Sequence, residues 1–371
     1  MHPLPSAMML GGQGALPGYL YVWGQNTFGS LGNGGTTSSS VPTKVGTALW
    51  LQAAAGDYHT VAVRADGTLW GMGRNNSGQL GDGTLVSKSS PVQIGALSTW
   101  RRVYASGVNT IMIKEDGTLW GTGSSAMGPT YSSSPIQIGA ATDWYGARIA
   151  MGGAHMIAVK RDGTLWAMGV GTSGQLGRGT TASSVSPVQV GAGTDWACPG
   201  TARNTSAAIK QDGTLWTWGQ NTNNELGTYG AAQSSPVQVG ALTDWLTVSS
   251  GPWGDGMTAV KTGGSAWAWG DNTTGQLGDG TTNPRNSPVQ IGALTDWIAP
   301  ASIGRNRPLV RGRYGAAVIK SGGTLWATGR GPDFGTQTSF SGNRSSPVQV
   351  GAASGWHSLS VGMSHMAAIK R

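Results

Sequence analysis

DGTLWTWGQNTNNELG, Asp212 to Gly227, runs through a short spacer into SSPVQVGALTDW, Ser234 to Trp245. Variants of this wording fill the chain. Its Gly-x-x-aromatic element recurs at Gly18, Gly67, Gly117, Gly163, Gly213, Gly264 and Gly323, at intervals of 49, 50, 46, 50, 51 and 59 residues. A fixed period near 50 marks a repeat architecture, in which one supersecondary unit buries its apolar face only against its neighbours.

Each unit holds four short strands, A to D in chain order. Strand A follows a recurrent Trp (Trp50, Trp100, Trp144, Trp196, Trp245, Trp297, Trp356) and is rich in small residues such as Ala53-Ala54-Ala55, which suits a strand crowded near an axis. Strand B alternates, as over His59 to Val63, and leads into an Asp-Gly pair, a strong hairpin signal. Strand C is Thr68 to Met72 and its copies. A polar loop containing GQLG (Gly78 to Gly81, Gly174 to Gly177, Gly275 to Gly278) then leads to strand D, which carries Ser-Pro-Val-Gln. Proline cannot donate to a sheet ladder, so D is expected at the outer edge.

Four antiparallel strands repeated seven times, with no helical period, predict an all-β fold: a single seven-bladed β-propeller. The chain starts inside a strand C (Tyr19 to Trp23) and stops after a strand B (Ile369 to Arg371). One blade is therefore expected to take its C and D strands from the N-terminal end and its A and B strands from the C-terminal end. That closure removes an open sheet edge. Residues 18 to 371 are expected to form the propeller, behind a short N-terminal arm of residues 1 to 17.

A length of 371 residues would otherwise point to two or three domains. Only 11% of residues are charged, against about 25% in ordinary globular chains, yet 17 Trp supply ample area for burial. The net charge of +8 favours a polyanionic partner. A basic residue recurs near the end of every strand B, however (Arg64, Lys114, Lys160, Lys210, Lys261, Lys320, Lys370), often with Asp two residues on (Asp66, Asp116, Asp162, Asp212). These are expected to be charges flanking a tight turn, which assigns most of the surplus to the architecture. Cys198 is the only cysteine, so no intramolecular disulfide forms. No apolar run is long enough for a transmembrane helix, and the N-terminal residues lack the basic and apolar regions of a secretory signal. A virion location, if phage-encoded, or otherwise a cytoplasmic one, is the expectation.

The run Trp269 to Gly280 with Asn272, the later SPVQV and the turn Gly56-Asp57-Tyr58-His59-Thr60 resemble the regulator of chromosome condensation repeat family over residues 18 to 371. The wording is most similar to bacterial and phage-encoded members. The start-in-C, end-in-B permutation resembles a secreted bacterial member that inhibits β-lactamases. The resemblance implies a seven-bladed propeller but no single function, since this fold hosts exchange factors, photoreceptors, inhibitors and adaptors. The Trp-containing motif of the family's ultraviolet photoreceptor is missing.

Sixteen Trp fall on repeat positions and are expected in the core between blades. Trp253 does not: it lies in the A–B turn, where other units carry Tyr58, Val108, Arg203, Tyr314 and Met363. An aromatic at a surface turn is a typical interface anchor, and the family resemblance places partner contacts of the inhibitor at the corresponding turn. The alternative is that Trp253 folds back on a neighbouring blade. A second exception is the long stretch between Trp297 and Gly323, with Arg305, Arg307, Arg311 and Arg313 before Tyr314. Guanidinium groups grip carboxylate or phosphate bidentately, and this insertion is expected on the same face as Trp253. A third is the clipped C–D loop at Ser124 to Gly128. Tyr58, Arg203, Trp253, these four Arg and Tyr314 form the expected partner-binding set.

Catalysis has no support in the residues. His59, His155 and His365 occupy equivalent turn positions and are expected to hydrogen-bond their own turns. No HExxH, CxxC, phosphate-binding loop, nucleophile elbow or calcium loop occurs. The expectation is a non-enzymatic module without metal or cofactor that binds a protein partner or a surface, plausible as a phage virion component. A GTPase or chromatin-like polyanion partner and an inhibitor role are the alternatives.

Overall fold

The computed structural model describes residues 16–124, 131–251, 253–297, 309–311, 315–330 and 343–371; for 309–311 and residue 330 it describes the backbone alone. These residues form strands joined by turns, and none of them is helical. Five sheets have four strands in the spatial order A-B-C-D. Blades are numbered here by their B strands: His59–Arg64, Asn109–Lys114, His155–Val159, Thr205–Lys210, Gly256–Lys261, Gly315–Ile319 and His365–Lys370 for blades 1 to 7. Blade 7 is closed as expected, because Gly18–Gly24 pairs antiparallel with His365–Lys370, Tyr19 facing Lys370 and Gly24 facing His365. One detail differs. Ser39–Ala55 is a single long strand that serves as D of blade 7 and A of blade 1, so these two blades share one seven-stranded sheet. A register shift between Tyr19 and Tyr21 on the strand it pairs with marks the handover.

The apolar core lies between blades. One cluster joins Ile157, Leu165 and Leu176 of blade 3 to Trp196, Ala208 and Trp218 of blade 4. The next joins Ile209, Leu215 and Val239 of blade 4 to Trp245, Met257 and Trp269 of blade 5. The Trp that precede strand A, and Trp23, Trp218 and Trp269 in strand C, are buried at these seams as the repeat predicts. Trp70, Trp120, Trp166, Trp216, Trp267 and Trp326 are only half-buried. Each of these six packs edge-on against the buried Trp of its own blade, with ring centroids 5.9 to 6.5 Å apart.

The repeat wording follows from hydrogen bonding at this rim. In Asp212-Gly213-Thr214-Leu215-Trp216, the Asp212 carboxylate accepts from both Thr214 N–H and Thr214 Oγ1, at 2.9 and 2.7 Å, and Thr214 Oγ1 accepts from the Trp216 indole at 2.9 Å. Gly213 has φ +80°, and a Cβ there would lie 2.0 Å from the Thr243 carbonyl oxygen, so only glycine fits. The strand-end cation has another partner than the turn carboxylate. Lys160 lies over both Trp144 and Trp166 and pairs with Asp143 at 2.8 Å, and Lys210, Lys261 and Lys320 repeat this with Asp195, Asp244 and Asp296.

The histidines close their own turns only through the backbone, Gly56, Gly152 and Gly362 N–H donating to the carbonyls of His59, His155 and His365, while their rings turn to the next blade. Nε2 of His365, His59 and His155 lies 2.9, 3.1 and 2.9 Å from the hydroxyls of Thr60, Thr110 and Ser206, each in the following blade. Those hydroxyls donate to the carbonyls of Ser30, Gln79 and Gln175. Their proton is thus spent, and the imidazole donates through Nε2–H. A Cβ on Gly56 or Gly152 would sit 2.1 or 2.2 Å from the ring, so the glycine three residues earlier makes room for it.

In blades 7, 1 and 5 the C–D loop folds around a buried Asn, Asn26, Asn75 or Asn272. Asn75 Oδ1 accepts from Leu80 N–H at 3.0 Å while its amide donates to Asp82 Oδ1 and the Thr84 carbonyl at 2.8 and 3.0 Å. The loop then reaches over the next blade, where Gly83 N–H donates to the Ser133 carbonyl at 2.8 Å. Asn75→Ala strands several buried groups at once. It is expected to lower stability by about 2–3 kcal/mol, read as a shift in urea midpoint with an unchanged slope.

Candidate binding face

The A–B turns and C–D loops leave the same end of each antiparallel blade, so they share one face. Around the axis, the turns are tied blade to blade. Asp57 N–H donates to the Gly107 carbonyl at 3.0 Å, Gly153 N–H to Arg203 at 2.9 Å and Arg203 N–H to Gly254 at 3.2 Å. Ser106 Oγ bonds the Gly152 carbonyl, and Ala55 N–H donates to Ser360 Oγ at 2.9 Å. These bonds fix turns that would otherwise be mobile connections.

Trp253, in blade 5, is half-buried, and its indole N–H donates to the carboxylate of Asp57 in blade 1. The ring therefore reaches across the axis, and the exposed Arg203 guanidinium lies over it at 5.1 Å. Burial raises the pKa of Asp57; the Trp253 indole, the Arg74 charge and the Gly107 backbone contact partly oppose the shift. Tyr58, the neighbour of Asp57, packs edge-on against Phe28 at 5.3 Å, and Arg74 lies within 5.2 Å of Phe28 and 5.8 Å of Tyr58. The result is an aromatic and guanidinium surface over blades 7, 1, 4 and 5, with Asp57 buried beneath it. It holds no nucleophile–base pair, and no cluster of metal-ligating side chains occurs among the described residues.

Of the expected set, the structure joins Trp253 with Arg203 and places Tyr58 beside Asp57. Trp253 is held between two blades, its indole on Asp57 of blade 1 and its ring beneath Arg203 of the neighbouring blade 4. Arg305, Arg307, Arg313 and Tyr314 lie outside the described residues, as does the Met127 loop. Arg311 ends the short strand A of blade 6, with Leu309 facing Val318 and Arg311 facing Ala316. That register leaves three residues between strands A and B, Arg313 and Tyr314 among them.

Sequence reading passed over Phe28, Asp57, Arg74 and Tyr229. Phe28 stands where the other loops have Ser77, Ser173, Asn223 or Thr274, an irregularity visible in the repeat. Tyr229, 84% exposed, interrupts the C–D loop of blade 4 in the same way. Asp57 carried no signal, because its role depends on Trp253, 196 residues away.

No curated protein matches the sequence significantly. The model of the regulator of chromosome condensation (RCC1) repeat matches residues 17–63, 66–113, 162–196, 212–254 and 263–306, more than half of the chain, and a second model of the repeat matches residues 50–79. Among solved structures, human WBSCR16 is similar at 19% identity over 95% of this chain and 99% of that one, with a TM-score of 0.79. Prp20p from Saccharomyces cerevisiae, described with its binding to Gsp1p and histones, is similar at 15% identity over 100% of this chain and 95% of that one, with a TM-score of 0.81. At such identities the likeness is one of fold. With the repeat matched in five places and the closed propeller shared along its length, the chain belongs to the regulator of chromosome condensation (RCC1) repeat family.

Proposed function

We propose that this propeller is a non-enzymatic binding module whose A–B/C–D face engages a protein partner. The observation that carries this reading is the Trp253–Asp57–Arg203 arrangement beside Tyr58, Phe28 and Arg74. Aromatic and Arg side chains held by fixed neighbours lose little entropy on docking and are the residue types enriched at interface hot spots. The exposed Tyr229 adds an anchor on the same face. A rigid ring that presents such a face fits a virion component for tail assembly, decoration or host recognition, and the phage-like wording of the repeats supports that finer reading. Arg305, Arg307, Arg311, Arg313 and Tyr314 extend the proposed partner set. Trp253→Ala and Tyr229→Ala are each expected to weaken the partner complex by about 2 kcal/mol, or 30-fold, measured by calorimetry against candidate virion proteins. Unchanged affinity in both variants removes this face from the interface, and absence from purified particles removes the virion assignment.

A GTPase or chromatin-like polyanion is the second reading. The net charge of +8 and the binding of Prp20p to Gsp1p and histones favour it. Nucleic-acid affinity driven by phosphate contacts must fall steeply with salt, so a salt-independent signal, or none, excludes the nucleic-acid form.

A further inference from the structure

The opposite face, formed by the B–C turns and D–A connections, is electrostatically divided. In blades 3 to 6 the residue before the strand-A Trp is Asp143, Asp195, Asp244 or Asp296, and each pairs with its blade's Lys. In blades 1, 2 and 7 the same position holds Leu49, Thr99 and Gly355. The backbone is equivalent in both groups. Its carbonyl accepts from the residue after the strand-B cation: Gln211, Thr262 and Ser321 N–H for Asp195, Asp244 and Asp296, and Ala65, Glu115 and Arg371 N–H for Leu49, Thr99 and Gly355. Arg64, Lys114 and Lys370 still lie over their Trp rings at 5.1, 5.2 and 5.8 Å, but among the described residues they have no ion pair.

The three blades are contiguous across the closure, and further departures from the repeat gather in them. Lys44 replaces the Gln of Ser-Pro-Val-Gln, exposed above the Tyr19 ring at 3.3 Å. Arg101 and Arg102 follow Trp100, and Arg371 follows Lys370, as Arg161 follows Lys160 outside the sector. Among the described residues of this sector the carboxylates facing these seven cations are Asp66, Glu115 and Asp116, and Asp66 and Asp116 feel the charges of Arg64 and Lys114 from beyond ion-pair distance. Apolar side chains are exposed in the same sector: Tyr19, Leu49 and Leu97 at 38, 43 and 48%.

We infer that this sector of the face, across blades 7, 1 and 2, docks an acidic protein surface bearing apolar side chains. Cations over aromatic rings with no carboxylate at ion-pair distance supply the charge complementarity, and Tyr19, Leu49 and Leu97 supply apolar contact that a bare phosphate polymer would not use. This site is separate from the loop face and does not rest on its function.

The test restores the carboxylate that the other blades already tolerate. A fluorescent peptide alternating Glu with Leu and Phe is titrated by anisotropy, with a DNA duplex as the competing polyanion. The wild-type chain is expected to bind the peptide. Thr99→Asp with Leu49→Asp is expected to weaken it about tenfold or more, and Leu49→Ser with Leu97→Ser about threefold to tenfold. Circular dichroism melts confirm that the variants fold. The inference is overturned by absence of peptide binding, by binding indifferent to the Asp pair, or by DNA binding more tightly than the peptide with no response to the Ser pair.

Discussion

Acidification from pH 7 to pH 5 is expected to destabilise the propeller by about 6 kcal/mol through its buried histidines. His59, His155 and His365 are completely buried and donate to a neighbouring blade as neutral rings. Burial, the dominant cause, holds His59 and His155 at about 3 and His365 at about 4. An unfolded histidine titrates near 6.5. Between that value and about 4, the unfolded chain carries more protons, so stability rises with pH and falls on acidification. At pH 5 each ring contributes about 2 kcal/mol of loss, and the three together rival the whole stability of a typical domain, about 5–15 kcal/mol. The turn carboxylates Asp66, Asp116, Asp162 and Asp212 act in a separate window, because their lowered pKa values support the fold above 3.8 and that support is lost below it. Asp57 and Glu225, raised by burial, act in the opposite sense. Urea midpoints at pH 7, 6 and 5 measure the proton uptake on unfolding. His155→Asn, which copies Asn109 of blade 2, should reduce that uptake by about one proton. A flat profile across this range would mean that the rings are solvated or already charged.

The blade arrangement was legible because it is periodic: the strand order, the outer place of the proline strand and the closure follow from spacing, while the merger of D and A in Ser39–Ala55 does not. The histidine contacts were legible only in retrospect. His365, His59 and His155 each precede a blade that carries Thr60, Thr110 or Ser206, whereas Met156, Met257 and Met366 follow blades without His. The coupling is between residues about 50 apart in sequence, and no local turn chemistry shows it. The binding face was legible as exceptions, since Trp253 breaks the repeat. Its partner Asp57 was not, because the ring brings blade 1 opposite blade 5, and that contact depends on curvature that the strand pattern does not contain. The basic sector was hidden for the opposite reason: Leu49, Thr99 and Gly355 are unremarkable residues whose effect is the absence of a carboxylate seen only once Lys210 is found on Asp195.

Replacing one seam Trp is expected to cost more than replacing its rim partner, although the two rings touch. Trp245 is 2% exposed and packs with Val239 and Leu215 of blade 4 as well as Met257 and Trp269 of its own blade. Its ring meets Trp267 at 5.9 Å and Trp269 at 6.5 Å, both edge-on. Trp245→Ala removes the transfer energy of the ring and opens a cavity bounded by two blades that cannot collapse without distorting both ladders, so the loss is expected near 4 kcal/mol, about the middle of the range for buried aromatics. Trp267 is only partly buried, and its indole bonds only Ser265 Oγ, at 3.0 Å. Trp267→Ala should lose about 1–2 kcal/mol, most of it edge-to-face and cation–π contact with Lys261, whose pairing with Asp244 persists. Because each blade leans on the next around a closed ring, loss at a seam is expected to lower the midpoint of one cooperative transition, not to detach a blade. Thermal and urea unfolding of the two variants, followed by Trp fluorescence and far-ultraviolet dichroism together, decide the point. Equal losses, or separate transitions by the two probes, would show that the blades are held by their own sheets and not by the seams between them.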